Sequence, residues 1–332
     1  MRKVNEVGRV VNLEFPALTG PGRIEFVHSN AGYKLVKLAT GVHSVHSLAH
    51  QETFHPVIGP VAEAEALYVQ QLHLIERLRH HAGEFVIWDV GLGAAANALT
   101  VLRATRHVPC PIHLLSFDHT LEPLEFALRH GEPLGYLAGY ETCLERLLDS
   151  ARSSRNTEHG TLGMQQAFRF PQRIKFKDGA RSISWDLHLA DFPALLAQPA
   201  ADKLAKPHAI MFDPFSPAKN PAMWTEPLFA SLFRLLDQNR PCALPTYSRS
   251  TMLRVTLLLA GFFVGIGHAT GEKEETTIAA NTLDLIAEPL DRRWLARARR
   301  STSAEPLSEA VYRQARLWPA TWEKLQEHPQ FR

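Results

Sequence analysis

The chain has 332 residues, 45% of them hydrophobic, and a formal net charge of only +2. Its length and apolar content predict a compact globular protein. Its near-neutral charge excludes strong whole-molecule attraction to nucleic acid, so any polyanion would have to bind a local basic patch. Three widely spaced cysteines argue against a disulfide framework or a zinc site, and they fit a reducing compartment.

The N-terminal part of the chain differs in pattern from the rest. Residues 1–55 alternate short β-prone pieces with glycine and proline, which predicts a small β-rich extension. A helix is expected over residues 62–80, because Leu67, Leu74 and Leu78 recur on one side of it.

From residue 85 onward strand-like and helix-like patterns alternate, which predicts an α/β fold with a mostly parallel sheet. Seven strands are expected, the last two as an antiparallel closing pair, at residues 85–90, 112–117, 185–189, 209–212, 242–247, 262–266 and 276–286. Residues 151–177 are polar and basic and predict a long surface loop. The main domain is therefore placed at residues 56–290, followed by a basic helical tail at 291–332. The longest apolar run, 255–266, is too short to span a membrane, so a cytoplasmic protein without a membrane partner is expected.

A loop of small residues joins the first of these strands to the next helix and reads DVGLGAAAN over residues 89–97. Gly91 and Gly93 would let the backbone approach a ligand closely, and open α/β sheets bind ligands at this edge. The chain lacks the G-x-x-x-x-G-K-[ST] sequence of triphosphate-binding loops and the third glycine of the dinucleotide pattern. Taken alone, the loop also fits a tight turn between strand and helix.

Acidic residues stand at the ends of four successive strands. Asp118 stands at the position where a carboxylate binds ribose hydroxyls. Asp191 stands where a carboxylate can accept a hydrogen bond from the amine of a base. Asp89 and Asp213 complete the set. Helix capping could explain any one of these acids, but the four together predict a nucleoside-bearing cofactor across the strand ends. Without a triphosphate loop, S-adenosylmethionine is the favoured cofactor.

The segment after the fourth strand is the most informative part of the chain. It reads DPFSPAKNPAMW over residues 213–224, so three prolines stiffen the backbone around a lysine, an asparagine and a tryptophan. Such rigidity holds side chains in place. This predicts an active-site wall rather than a plain connection between strand and helix.

These residues resemble the methyltransferase domain of the MnmC type, which uses S-adenosylmethionine to complete the 5-methylaminomethyl group on the wobble uridine of certain tRNAs. The most specific match is residues 213–224, which are similar to the family pattern D-x-F-[AS]-P-x-K-N-P-x-[ML]-W. Supporting matches are residues 89–93, 116–118, 189–191, 53–55, 65–69, 246–248 and 260–262. The resemblance covers residues 45–288, and the family's flavin-dependent oxidase domain has no counterpart within these 332 residues.

The resemblance implies a Rossmann-like class I methyltransferase fold, S-adenosylmethionine as cofactor and tRNA as partner. It also implies a separate oxidase as the possible supplier of the aminomethyl intermediate. Asp213 is implied as the catalytic residue, which orients the acceptor nitrogen. The implied cofactor-binding residues are Asp89, Gly91, Gly93, Asn97, Asp118, Asp191 and Asp213, and the implied substrate-binding residues are Phe215, Pro217, Lys219, Asn220, Trp224 and Tyr247.

Ordinary structural roles remain open for some of these residues. Trp224 and Tyr247 would stack on a base, but Trp224 equally suits core packing at a helix start. Lys219 would meet phosphate or stand as a solvated surface charge.

Two departures from the family pattern bear on function. Ala95 stands where the family loop G-F-G-T-G-x-N has a glycine, which predicts altered loop geometry or cofactor affinity. Residues 271–275 read GEKEE where the family has a basic G-R-K-R stretch. The acids leave open another RNA or a small amine as substrate. The altered loop leaves open a non-catalytic RNA- or protein-binding module that no longer holds the cofactor.

Two further groups of residues remain without a firm role. Four histidines, at His43, His46, His50 and His55, invite a metal interpretation. No cysteine or carboxylate cluster accompanies them at ligand spacing, so no metal is predicted. The tail arginines would bind RNA or form a solvated helix face, and they are Arg292, Arg293, Arg297, Arg299 and Arg300.

Overall fold

The structure is a computed structural model that describes residues 25–30, 32–156, 171–271 and 274–332, with the backbone alone for 25–30 and 153–156. The N-terminal part contains a four-stranded antiparallel sheet, whose strands are β1 (Glu25–Asn30), β2 (Tyr33–Lys37), β3 (His43–Ser47) and β4 (Glu52–Thr53). The predicted small β-rich extension is thus confirmed, although residues 1–24 lie outside the described part.

A second, larger sheet holds the remaining strands: β5 (Phe85–Val90), β6 (Ile112–Asp118), β7 (Gln172–Asp178), β8 (Arg181–Leu189), β9 (Ala209–Phe212), β10 (Ala243–Thr246), β11 (Phe263–Gly267) and β12 (Thr276–Ala280). Their order is β11-β12-β10-β9-β5-β6-β8-β7. The five strands from β10 to β8 are parallel, whereas β12 runs antiparallel to both of its neighbours and β7 antiparallel to β8. The predicted α/β fold and antiparallel closing pair are confirmed.

The expected number of strands was wrong by one. The sheet has eight strands, because β7 occupies residues that the sequence pattern assigned to a surface loop. β7 lies at the sheet edge, where one face is exposed, so basic residues alternate with Ile174 and Phe176. Its apolar signal was therefore too weak to separate it from the polar segment before it. The first part of that segment also belongs to a helix, which runs as far as Asn156.

Helices cover both faces of the large sheet. They are α1 (Pro60–Ala64), α2 (Leu74–Arg79), α3 (Ala96–Ala104), α4 (Glu122–Arg129), α5 (Gly131–Leu134), α6 (Glu141–Asn156), α7 (Phe192–Leu196), α8 (Glu226–Leu235), α9 (Thr251–Leu259), α10 (Arg292–Arg300) and α11 (Pro319–Gln326). Successive residues of a strand point to opposite faces, so Ile87 packs into one core cluster and Trp88 into the other. Every residue of β5 is buried as a result, as expected for a central parallel strand.

The helix predicted over residues 62–80 is interrupted. A π-helical turn, Glu65–Gln70, follows α1, and His73 adopts a left-handed conformation with φ of 48° before α2 begins. The turn carries Leu67 and Tyr68, both fully buried. Apolar periodicity alone does not reveal an inserted residue, which is why the sequence predicted one continuous helix.

The tail contains two α-helices, α10 and α11, and a 3₁₀ turn at Pro329–Phe331. The residues between α10 and α11 form neither helix nor strand. Trp294 and Leu295 of α10 and Leu325 of α11 belong to the same core cluster as Trp88. The tail therefore packs onto the sheet layer. Among the described helices, each is too short or too polar to cross a bilayer.

Candidate active site

A cavity of about 530 Å³ lies where the parallel strands end, between the loops that follow them and the small N-terminal sheet. Its volume falls in the range of small-molecule sites, and open α/β sheets bind ligands at this edge. Ten of the predicted site residues line it: Gly91, Gly93, Asn97, Asp118, Asp191, Asp213, Phe215, Lys219, Asn220 and Tyr247. The other three, Asp89, Pro217 and Trp224, are outside its lining.

The loop after β5 is packed tightly against neighbouring segments. Gly91 has φ of 92°, and a Cβ there would stand 2.9 Å from the carbonyl oxygen of Asp213, so only glycine lets the two segments meet. The backbone N–H of Gly93 donates to Oδ2 of Asp118 at 2.9 Å. The loop thus packs closely against Asp213 and is hydrogen-bonded to Asp118.

Ala95 lies immediately before α3 in a left-handed conformation, with φ of 62°. This is the position where the related loop has glycine, and the alanine keeps the backbone conformation that glycine favours. A non-glycine residue in that region costs about 1–2 kcal/mol. Ala95 is therefore accommodated with backbone strain, and the altered loop geometry or cofactor affinity stays a prediction.

Asp118 and Asp191 stand at the ends of adjacent strands, β6 and β8. Oδ1 of Asp118 accepts hydrogen bonds from the backbone N–H groups of His119 and Thr120. The side-chain hydrogen bond to Asp118 raises the pKa of His119. Asp191 precedes α7 but makes no side-chain capping bond, so its exposed carboxylate faces the cavity without that structural role.

Asp89 is buried beneath the loop. Its Oδ2 accepts a hydrogen bond of 2.7 Å from the hydroxyl of Ser116, which in turn accepts from Nε1 of Trp185. Burial raises the pKa of Asp89 to about 7, against the lowering effect of the Ser116 hydrogen bond, and the charges of Asp213 and Asp118 raise it further. Asp89 thus supports the loop from below.

Asp213 follows β9, and its backbone N–H donates to the carbonyl of Val90, which continues the sheet by one residue. Its Oδ2 accepts a hydrogen bond of 2.7 Å from the side-chain amide of Asn97. Nε2 of His55 lies 3.5 Å from the same oxygen. The carboxylate is therefore held from two sides at the cavity wall.

His55, which lies beside Asp213, and Glu63, which lies beside His55, were not predicted as site residues. Nδ1 of His55 lies 3.6 Å from Oε1 of Glu63, and both side chains are buried. Glu63 lies in α1, and His55 belongs to the loop after β4. The sequence offered one signal, the match at residues 53–55, but nothing in the pattern linked His55 to a carboxylate eight residues later or to Asp213.

Two tyrosines add buried hydroxyls to this group. The pKa of Tyr68 lies well above its usual value because of burial first, and then because of the charges of Asp213, Glu63 and Asp89. Burial and the nearby Asp213 likewise raise the pKa of Tyr247. Both phenols therefore stay neutral and can act as hydrogen-bond donors.

The active-site wall, residues 213–224, contacts β4 and the loops on either side of it. Phe215 stacks on the imidazole of His50 with ring centroids 4.0 Å apart, and the ring of Phe54 meets it edge-on at 5.4 Å. The carboxylate of Glu52 accepts from the backbone N–H and the hydroxyl of Ser216. The N-terminal sheet thus completes one side of the cavity.

Trp224 is a support rather than an exposed stacking surface. It is fully buried, and its Nε1 donates to the carbonyl of Phe215 at 2.8 Å. The hydroxyl of Tyr247 donates to the carbonyl of Pro214 at 3.1 Å. Both aromatic residues brace the wall from behind, and of the two only Tyr247 also lines the cavity.

His55, Glu63 and Asp213 offer one nitrogen and two oxygens within 4.8 Å of one another, a spacing that a metal ion could use. The imidazole, however, turns Nδ1 toward Glu63 and Nε2 toward Asp213. One ring nitrogen thus faces each carboxylate. The arrangement is that of a ring bridging two carboxylates.

Glu275, an acid in the stretch 271–275 that departs from the family pattern, pairs with an arginine of this chain. Oε1 of Glu275 accepts from Nη1 of the buried Arg254 at 3.0 Å, and the same guanidinium donates to the carbonyl of Thr276. Glu272 and Lys273 lie outside the described residues. Glu275 is thus explained by pairing within the fold, independently of any substrate.

The chain is similar to known methyltransferases. A family model described as S-adenosyl-L-methionine-dependent methyltransferase matches residues 159–282. The chain is 28% identical over 221 residues to the tRNA 5-methylaminomethyl-2-thiouridine biosynthesis bifunctional protein MnmC of Vibrio cholerae serotype O1, which covers 66% of this chain and 31% of that protein. With the protein of the same name from Pseudomonas putida it shares 26% over 257 residues, 76% of this chain and 35% of that one. The chain spans about a third of the length of these curated relatives.

The fold also resembles the crystal structure of MNMC2 from Aquifex aeolicus, with a TM-score of 0.61 and 19% identity over 91% of this chain and 85% of that one. This likeness confirms the predicted Rossmann-like fold. The family model and the MnmC relatives confirm the predicted resemblance, the class of enzyme and the cofactor. The chain is an S-adenosylmethionine-dependent methyltransferase related to the MnmC enzymes.

Proposed function

We propose that this chain methylates the 5-aminomethyl nitrogen of a tRNA wobble uridine. The observation that carries the proposal is the position of Asp213, whose carboxylate lines the cavity next to the Gly91–Gly93 loop. A carboxylate beside the expected site of the reactive methyl group suits a cationic amine as acceptor. The similarity to the MnmC proteins supports the choice of that amine.

The residues at the strand ends fit the cofactor. Asp118 would hold the ribose hydroxyls, and Asp191, whose carboxylate makes no capping bond, would accept from the amine of the base. The backbone of residues 91–97 would lie along the rest of the molecule, toward Asp213. When bound, S-adenosylmethionine supplies an electrophilic methyl group on a sulfonium sulfur.

The acceptor nitrogen is an ammonium in water and must lose a proton before it can attack. Asp213 accepts a hydrogen bond from that nitrogen and draws off the proton, which passes on to solvent. The nitrogen held by Asp213 would then present its lone pair to the methyl group that S-adenosylmethionine, held by Asp118 and Asp191, would supply. Alignment of the two reacting atoms by a fixed wall contributes about 7–11 kcal/mol to such a reaction, and proton removal by a positioned base about 10²–10⁴ in rate.

The wall would hold the nucleotide that carries the amine. Phe215 and Tyr247 give the cavity an aromatic lining, and Lys219 and Asn220 bring polar groups to the same side. Stacking on such rings contributes about 1–3 kcal/mol per base. Pro217 and Trp224 act indirectly, by keeping this segment rigid.

The tail offers a surface for the rest of a tRNA. Its exposed arginines without a carboxylate within 4.0 Å in the described part of the chain include Arg292, Arg293, Arg297, Arg299, Arg300, Arg313 and Arg316. By contrast, Arg173, Arg181 and Arg254 are all paired with acids. Unpaired arginines remain available for phosphate contacts. A cytoplasmic site of action and a separate oxidase that supplies the aminomethyl group belong to the same proposal.

The proposal is tested with tRNA that carries an unmethylated 5-aminomethyl group and cofactor with a labelled methyl group. Label should appear on the wobble nucleoside after digestion and mass spectrometry. Asp213→Asn should lower kcat at least about 10²-fold. It should leave cofactor affinity, measured by calorimetry, within a few-fold. Asp202→Asn is the control, because Asp202 is an exposed acid that pairs with Arg234 on the surface.

A small amine is a second candidate substrate. The carboxylates of Glu52, Glu63 and Asp213 all line the cavity and would suit an acceptor without a nucleotide. Offered in the same assay, such amines would then take the label while tRNA stayed unlabelled, and the tRNA proposal would be lost. Failure to bind cofactor at millimolar concentration would remove both enzyme functions and leave a binding module.

A further inference from the structure

The imidazole of His55 stands between two buried carboxylates. Nε2 is 3.5 Å from Oδ2 of Asp213, Nδ1 is 3.6 Å from Oε1 of Glu63, and the exposed fractions of the three side chains are 8% for His55, 13% for Asp213 and 4% for Glu63. These are ion-pair distances, somewhat longer than hydrogen bonds. Contacts of this kind often shorten when substrate enters the site.

The backbone at His55 adopts a conformation that disfavours any side chain. His55 has φ of 47°, in the left-handed region that glycine adopts without cost. A non-glycine residue is strained in this conformation by about 1–2 kcal/mol. Such strain persists where the surrounding structure dictates it, and it concentrates at functional sites. A histidine at a position suited to glycine therefore points to a role for its imidazole.

Asp213 lies among negative charges. The charge of Asp213 contributes to the raised pKa of Asp89, and the charges of Asp213 and Glu63 contribute to those of Tyr68 and Tyr247, after the larger effect of burial. Nearby carboxylates favour protonation of one another. A protonated Asp213 would be unable to accept a proton from the acceptor ammonium, so this site needs a positive charge beside that residue.

We propose that His55, held in place by Glu63, is a positioning residue that keeps Asp213 ionised and turned toward the methyl-accepting nitrogen. Its imidazolium supplies the positive charge, and the fixed ring directs one N–H to each carboxylate. Asn97 donates to the same oxygen of Asp213 from the other side. The inference rests on the proposed function in that it takes an amine as the acceptor.

Glu63 and Asp213 face His55, and Tyr68 and Tyr247 lie near enough to these carboxylates to feel their charges, so the surrounding ionisable groups come from four elements. Glu63 lies in α1 and Tyr68 in the π-helical turn, Asp213 follows β9, and Tyr247 follows β10. Glu52 of β4 lies near enough to influence Tyr247. The tyrosines stay neutral, so the nearest negative charges to the ring are those of Glu63 and Asp213, with Glu52 and Asp89 farther out.

The role of His55 can be tested by removing its imidazole and then adding free imidazole to the solution. His55→Gly suits the local backbone conformation and leaves a space of the size of the ring. It should lower kcat about 10-fold or more and move the acidic limb of the pH–rate profile up by about one pH unit, since Asp213 loses a neighbouring cation. The KM for cofactor should stay within about three-fold. Added imidazole should restore both the rate and the position of the limb.

A matched control lies four residues earlier. Gln51 has the same kind of backbone conformation, with φ of 53°, but is exposed and outside the cavity lining. Gln51→Gly should leave the rate and the pH profile unchanged. His55→Gln keeps side-chain N–H groups but not the charge. If His55→Gly does not fold, His55→Gln should show the same upward shift, without rescue by imidazole.

A second readout does not depend on the acceptor. Labelling the aspartate carboxyl carbons with ¹³C and assigning Asp213 by comparison with Asp213→Asn follows its titration by NMR. The midpoint should move to higher pH in the His55 variant that folds, and imidazole should reverse the shift in His55→Gly. An unchanged midpoint overturns the role of His55 even if the wild type methylates tRNA. Absence of methyl transfer by the wild type overturns the proposed function alone, and the titration still decides the role of His55.

Discussion

Asn97 donates a side-chain hydrogen bond of 2.7 Å to Asp213, although the two residues are 116 positions apart in the chain. Asn97 lies in the first turn of α3, directly after the glycine loop, and Asp213 begins the rigid wall. The bond joins the expected cofactor side of the cavity to its expected substrate side. A change at either residue should therefore affect the alignment of the two reacting groups.

Asn97→Ala should lower kcat by about 10-fold or more, because a hydrogen bond to a charged group contributes about 1.5–3 kcal/mol. The loss should fall on kcat rather than on the KM for cofactor if the bond orients Asp213. Steady-state kinetics with both substrates varied measures this division. Asn239→Ala, on the exposed surface, is the control. An effect confined to cofactor KM would show that Asn97 serves the cofactor alone.

Asp89 should make the protein less stable as pH rises. Its folded-state pKa of about 7 lies above the ordinary value of 3.8 because the carboxyl is buried. Between those two values the folded state keeps a proton that the unfolded state has lost, so the free energy of unfolding declines from about pH 4 to about pH 7. A three-unit shift corresponds to at most about 4 kcal/mol.

Asp89→Asn removes that titration. Relative to the wild type, the variant should therefore gain stability between about pH 4 and about pH 7, as measured by urea unfolding at each pH. A constant difference between the two proteins across this range would show that Asp89 titrates alike in both states.

Ala95 should accept glycine but no larger residue. Ala95→Gly removes the backbone strain of about 1–2 kcal/mol, but also a buried methyl group worth about 0.8 kcal/mol, so stability should change by about 1 kcal/mol or less. Ala95→Val adds a branched side chain to a left-handed, buried position and should destabilise by about 2 kcal/mol or more. Thermal unfolding of the two variants and cofactor titration of Ala95→Gly measure these effects. Equal stability of all three proteins would contradict the strained conformation.

Trp224→Phe distinguishes a structural role, the hydrogen bond to Phe215, from stacking of Trp224 on a tRNA base. The variant loses the donor to the carbonyl of Phe215 and leaves that group unpaired, at a cost of about 1–3 kcal/mol in the free energy of unfolding. Because Trp224 is fully buried, the dissociation constant for tRNA should rise only modestly. A large loss of tRNA affinity with unchanged stability would restore direct stacking on a base.

The tail arginines should contribute to tRNA affinity through phosphate contacts. Arg293→Ala combined with Arg300→Ala should weaken binding and reduce the slope of log affinity against log salt by roughly one unit per lost contact. Filter binding at several salt concentrations gives the slope. Arg234→Ala is the control, because Arg234 is exposed but paired with Asp202. An unchanged slope in the double variant would make the tail a solvated surface.

The sequence predicted the larger part of the fold because its signals are local. Buried parallel strands appear as short apolar runs, and the glycines and acids at their ends mark where those runs stop. β7 escaped because an edge strand has one solvated face, and the break in the helix at residues 62–80 escaped because a π turn leaves apolar spacing almost unchanged. The role of Trp224 could not be predicted from the sequence, because the local sequence does not show whether a tryptophan is buried or exposed.

What the sequence determined by itself is the kind of site: a glycine loop, Asp118, Asp191 and Asp213 at successive strand ends, and a stiff segment after them. Parallel strands bring their carboxyl ends to one edge, so these residues had to meet. Only the tertiary structure decided what surrounds Asp213. His55 comes from the loop after the N-terminal sheet, and Glu63 and Asn97 come from two helices. Their contacts depend on how those elements pack, which no local pattern records.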